Sequence, residues 1–141
     1  MGDEGQQNKE CKLTLKERIK RAIIKWLKIG FGSKESREEV VRNALRLLDE
    51  LYDKRLHTRK IIQKWYKPDV DAAVLIALVF IYSKSNCTQE QRVYGDVTIT
   101  SYKCKCLSNV IEYTAKAYDV TPSVVRHHVK YLLKYLNATC E

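Results

Sequence analysis

Apolar positions recur at helical spacing over most of the chain. Leu15, Ile19, Ala22, Ile23, Trp26 and Leu27 share one face of a segment that opens with the capping-box pattern Thr14-Leu-Lys-Glu17. Gly30 and Gly32 end it. A second capping-box pattern, Ser36-Arg-Glu-Glu39, leads into Val40, Val41, Ala44, Leu45, Leu48, Leu51 and Tyr52 at the same spacing. Residues 56–66, with Ile61, Ile62 and Trp65, predict a short basic helix stopped before Pro68. From Asp69 or Asp71 to about Lys84 the chain is apolar nearly all round, the pattern of a helix buried at the centre of a bundle. The period breaks at 85–106. There Asn86, Gly95-Asp96 and the alternation through Val97, Ile99 and Tyr102 predict a loop with a small β-hairpin. Helical spacing returns in Val110, Ile111, Thr114, Ala115 and Tyr118, with Ser108 as the expected cap. After a turn at Asp119-Val120, Thr121-Pro122 opens a last helix to about Leu136, with Val125, Val129, Leu132, Leu133 and Leu136 inward. The expectation is one all-α domain of about six helices over 13–141, with 1–12 a flexible tail and 85–106 an insertion.

Length agrees, since 141 residues fill one ordinary domain. Charge adds more. Lys and Arg number 26 against 17 Asp and Glu, a net +9. The excess is concentrated: residues 12–28 and 54–68 each carry +6. Two such patches suit a polyanionic partner. A membrane is not expected, because the longest apolar run, Ala72–Tyr82, is too short to span one. No signal peptide is visible in MGDEGQQNKEC, so the expected compartment is the cytoplasm. Asn86-Cys87-Thr88 and Asn137-Ala138-Thr139 then read as chance matches to a glycosylation acceptor.

Candidate chemistry is sparse. None of the five cysteines, Cys11, Cys87, Cys104, Cys106 and Cys140, forms a Cys-x-x-Cys pair, so a zinc site is not expected. A disulfide from Cys87 to Cys104 or Cys106 would close the hairpin segment, which thermophile cytosol permits; reduced thiols are the alternative. Gly30-Phe-Gly32 is too short for a phosphate-cradling loop. His57, His127 and His128 lack chelating spacing, and on a helix the adjacent pair points about 100° apart. The expectation is no enzyme, no catalytic residue, no metal and no cofactor.

The most specific local pattern lies near the end. Ala115, Asp119 and Val125 fall at helix-turn-helix spacing: a small residue at the crossing, a turn residue four later, an inward β-branched residue six after that. With Val125 inward, Ser123, Arg126, His127 and Lys130 share the outward face. No acid falls between Pro122 and Leu136.

In this order the segments REEVVRNALRLLDELYDKRL, DAAVLIALVFIY and SNVIEYTAKAYDVTPSVVRHHVKYLLKYL resemble the cyclin-like repeat of the archaeal transcription factor B and eukaryotic transcription factor IIB core domain. The resemblance covers about residues 15–137. Only one repeat fits and no zinc ribbon precedes it, so it points to a single-repeat regulator of an archaeon or an archaeal virus. It implies a cyclin-box-like bundle on double-stranded DNA, with RNA polymerase or a general transcription factor as a further partner. Ser123, Arg126, His127 and Lys130 would approach bases, while Lys20, Arg21, Lys25, Arg55, Arg59, Lys60 and Lys64 would contact phosphates. The competing expectation is a protein-binding module or inhibitor of the transcription machinery with no DNA contact. Pairing of apolar helices into a homodimer would modify either.

Overall fold

The computed structural model describes residues 13–55 and 67–141, excluding the side chains of 53–55. The expected tail at 1–12 and basic helix at 56–66 lie outside the described residues. The chain runs through α1 (Leu15–Ile24), one further helical turn (Trp26–Ile29), α2 (Lys34–Arg55) and α3 (Pro68–Ile81). It continues through β1 (Cys87–Tyr94), β2 (Val97–Cys104), α4 (Ser108–Ala117), α5 (Pro122–Leu133), a 3-10 turn (Lys134–Leu136) and β3 (Ala138–Cys140).

Helix α3 is the axis of the fold. Every residue from Asp71 to Leu78 is buried, as the all-round apolar pattern predicts, and α1, α2, α4 and α5 all pack against it. Ala72, Ala73 and Ala77 present so little side chain that neighbouring helices approach closely, while Leu75, Ile76 and Leu78 fill the spaces between them. Each of those larger side chains gains about 2 kcal/mol from leaving water. Among the described residues no helix is long and apolar enough to cross a membrane.

Helix starts follow the sequence in part. The Thr14 hydroxyl accepts from the Glu17 amide at 3.1 Å, as its capping box predicts. The second cap is not Ser36. Ser33 accepts from the Ser36 amide at 3.1 Å, and α2 begins three residues early, just after Gly32 turns the chain with φ +93°. Proline supplies the first residue of both α3 and α5, where its missing N–H costs nothing. Helix α4 starts at Ser108, but Leu107 holds the cap position in left-handed conformation, φ 46°, without a side-chain cap.

The expected all-α class is wrong. Strands β1 and β2 pair antiparallel over eight residues each, around a two-residue Gly95-Asp96 turn in which Gly95 has φ +61°. Strand β3 then pairs parallel to β2, Tyr102 with Ala138 through Cys104 with Cys140, giving a three-stranded sheet in the order β1-β2-β3. The physical cause is Asn137. Its left-handed φ of 54° ends the final helix and turns the chain back along β2, where its carbonyl accepts from the Tyr102 amide at 2.9 Å. The sheet belongs to the core, because Cys104 and Ala138 join the main apolar cluster. The molecule is a mixed α/β domain, not a helical bundle carrying an insertion.

Two disulfides staple the sheet. Cys87 bridges Cys104, its directly opposite residue in the ladder, which selects one of the two expected pairings. Cys106 bridges Cys140, tying β3 to the segment leaving β2. The sequence reading left Cys140 unpaired. Both amide hydrogens of Asn86 are used, donating to the Ile81 and Lys105 carbonyls at 2.8 Å each, so a glycan on that nitrogen would break the hairpin base.

Candidate nucleic-acid interface

Helices α4 and α5 pack together across a short turn at 118–121. Ala115 is fully buried at the crossing and Val125 is fully buried beneath α5. Asp119, at the turn position, takes the left-handed conformation with φ 54°. The Val120 amide donates to the Ala115 carbonyl at 2.9 Å and the Asp119 amide to the Lys116 carbonyl at 3.1 Å, the two bonds of a Schellman cap. An aspartate there bears a Cβ penalty that glycine lacks, about 1 kcal/mol. Asp119→Gly is therefore expected to raise the urea midpoint by the equivalent of about 1 kcal/mol without altering the corner. A lower midpoint would mean that the carboxylate has a stabilising role of its own.

Helix α5 presents the predicted residues outward. Ser123, His127 and Lys130 are exposed and Arg126 is half-buried, while the alternate face, Val125, His128, Val129, Leu132 and Leu133, packs inward. Adjacent His127 and His128 thus divide between surface and core. Among the described residues no group of three His, Cys, Asp or Glu side chains is placed to hold a metal ion.

The first basic segment divides by helical phase. Lys16 and Lys20 lean toward α2, where Lys16 pairs with Asp49 at 3.0 Å. That hydrogen bond, chiefly, holds the Asp49 carboxyl below its ordinary pKa, with the charges of Lys16 and Lys20 adding to it. Lys20 is thus turned away from the proposed phosphate set. Arg18, Arg21 and Lys25, at i, i+3 and i+7, line a shallow groove of about 360 Å³ with Leu13, Ala22, Lys67, Pro68 and Asp69. Lys25 pairs with Asp69 across it at 3.2 Å. Arg21 and Lys67, beside the Lys25–Asp69 pair, leave the groove positive. Arg18 and Lys67 are additions that the sequence alone did not single out; their sharing one groove depends on α1 packing beside the start of α3. Arg55 ends α2 but its side chain is not among those described, and Arg59, Lys60 and Lys64 lie outside the described residues.

Groove and corner are joined by one side chain. Tyr118, the C-cap of α4, stacks on Trp26 at 6.2 Å and donates its hydroxyl to the Ala22 carbonyl at 2.8 Å. Ala22 is a wall of the groove, so the corner lies within one tyrosine length of it. Burial, with the nearby Asp69 charge second, raises the Tyr118 pKa far above that of a free phenol, and the hydroxyl remains a donor throughout the physiological range. A larger hollow of about 480 Å³ lies beside the first bridge, lined by Tyr82, Ser83, Lys84, Cys87, Gln89 and Tyr102. It gathers no carboxylate or histidine, and its one cysteine is bridged. No family model matches the chain, and neither a curated protein nor a solved structure matches it.

Proposed function

We propose that this protein is a non-enzymatic, DNA-binding regulator of transcription. It sets the first half of α5 against the major groove and lays the α1–α3 groove on phosphates. The observation that carries this reading is the corner itself: a left-handed Asp119 turn followed by a helix whose uncovered face holds Ser123, Arg126, His127 and Lys130 without an acid. The resemblance of 108–136 to the closing helix-turn-helix of the transcription factor B/IIB repeat supports the same reading. So does a positive groove within a tyrosine length of the corner. RNA polymerase or a general transcription factor is the further partner such a regulator would engage. The compartment that fits is a cytoplasm able to keep two disulfides, as in hyperthermophiles.

Titration of duplex DNA across a salt series tests the reading. Log affinity is expected to fall linearly with log salt, with a slope of about −4 to −7 for five to eight neutralised phosphates. Arg126→Ala should lose about 1–3 kcal/mol on a preferred duplex and flatten the preference at one base pair. Arg21→Ala combined with Lys67→Ala should instead weaken binding equally on every sequence and reduce the slope. Absence of duplex binding at low salt would overturn the proposal.

That outcome would favour a protein-binding module or inhibitor of the transcription machinery, and one observation supports it. Ile24, Ile29 and Phe31 are 47%, 41% and 42% exposed along the α1–α2 connection, with Leu27 beside them. Scattered apolar residues are ordinary on a surface, but four within eight positions form a surface that a protein partner can cover.

A further inference from the structure

We infer that the free edge of β1 is a self-association site, joining two copies of this chain through an antiparallel β1–β1 pair about a two-fold axis at Gln91. The inference is independent of DNA binding. Among the described residues, strand β1 lies at the edge of the sheet. Soluble proteins protect such edges with proline, a bulge, a short strand or a row of like charges. Here the ladder runs without interruption for eight pairs, β1 contains no proline, and residues 91–99 are all exposed. Val93 and Tyr94 stand 70% and 58% exposed.

Hydrogen-bond phase identifies the groups that face outward. The Tyr102 amide and the Cys104 carbonyl turn toward β3. Their ladder partners on β1 are Gln89 and Cys87, whose backbone groups must therefore point the opposite way, to the open edge. With the alternation of an antiparallel strand, Gln91 and Val93 do the same. Strand β2 leaves a shorter free edge, because β3 occupies it from Tyr102 onward.

Charge then selects the register. In a two-fold pair centred on Gln91, Glu90, which also holds Lys103 of its own hairpin at 3.3 Å, faces Arg92 of the partner subunit, and the symmetry repeats the contact. The edge amides of Gln89, Gln91 and Val93 then meet the edge carbonyls of Val93, Gln91 and Gln89 of the partner subunit, and Tyr94 lies across from Thr88 of the partner subunit. Centring on Glu90 or Arg92 would set like charges opposite each other, which is destabilising. Centring on Gln89 or Val93 loses the double ion pair. One register therefore combines the longest overlap with two charge pairs, the signature of an isologous contact.

Sedimentation equilibrium on the full, oxidised chain tests this. The wild type should follow a monomer–dimer equilibrium. Gln91→Pro removes an amide hydrogen that the internal ladder does not use, so the hairpin keeps its bonds while the dimer loses two; the dissociation constant should rise about tenfold or more. Glu90→Arg and Arg92→Glu should each weaken self-association to a similar degree, since each sets like charges opposite one another. An equimolar mixture of those two variants restores both opposite-charge pairs and should form a heterodimer close to wild-type strength. This mixing result decides the matter even if the proline variant fails to fold. A wild type that stays monomeric at every concentration, or a dimer indifferent to the charge variants and their mixing, would overturn the inference.

Discussion

Reducing both disulfides in native buffer is expected to lower the free energy of unfolding by about 5 kcal/mol. The Cys87–Cys104 bridge closes a separation of 17 residues and the Cys106–Cys140 bridge one of 34. Constraint of the unfolded chain by loops of that length is worth about 3 and about 4 kcal/mol, discounted here for structure retained in the reduced, unfolded chain. Against a total margin of about 5–15 kcal/mol for an ordinary domain, that loss is large. It should be felt first in β3, whose three residues are held by few backbone bonds beyond the Asn137, Cys106 and Glu141 contacts. Urea titration with and without reductant measures the total, and hydrogen exchange shows whether β3 opens before α3. A thiol count on denatured, unreduced protein should find one free cysteine, Cys11. Five free thiols, or a midpoint indifferent to reductant, would exclude the bridges.

The second large effect is expected at Trp26, which is wholly buried and meets Phe31, Phe80 and Tyr118 at ring-centroid distances of 5.1, 6.4 and 6.2 Å. Trp26→Ala removes the largest buried side chain of the cluster and should cost about 3–5 kcal/mol. The site is shaped around the indole: a Cβ at Gly30 would strike its ring. Among the described residues no acceptor meets the buried Trp26 Nε1, so the indole carries an unsatisfied donor. Trp26→Phe keeps an aromatic ring and removes that donor, and should stay within about 1.5 kcal/mol of wild type. Thermal or urea melts of the two variants check the contrast. Equal losses would mean that the Nε1 group contributes in a way its surroundings do not show. Because Tyr118 stacks on this ring, the alanine variant should also loosen the corner on which the proposed duplex binding rests.

Features set by local spacing were legible in the sequence; features set by distant pairing were not. The buried face of α3 and the inward row of α5 follow from 3.6-residue periodicity, and the Ala115, Asp119, Val125 spacing located the corner. Position 119 takes positive φ despite being aspartate, since the two Schellman bonds outweigh a small Cβ penalty. Strand β3 was invisible because three residues carry no period, and its partner lies more than thirty positions earlier. The same distance hid the Cys106–Cys140 bridge. Ser36 was mistaken for a cap because Glu39 completes the pattern, whereas the chain turns earlier, at Gly32. On α5, Ser123, His127 and Lys130 are exposed as the spacing predicts and Arg126 is half-buried, whereas the charge count treats residues 12–28 as one patch. Helical phase divides it, sending Lys16 and Lys20 toward Asp49 and Arg18, Arg21 and Lys25 to the groove.

The ladder register also bears on the order in which the chain can fold. Strands β1 and β2 are joined by a two-residue turn, so their pairing is local and closes on the microsecond scale. In that register the hairpin holds Cys87 opposite Cys104 and leaves Cys106 two residues past the end of the ladder, which favours the Cys87–Cys104 pairing over Cys87–Cys106. Strand β3 cannot join until α4 and α5 have folded back and brought residue 138 beside residue 102. The native Cys106–Cys140 pairing is therefore expected to follow the docking of α4 and α5. The second disulfide then acts as a latch across the segment that carries α4 and α5, tying its two ends together once those helices are docked.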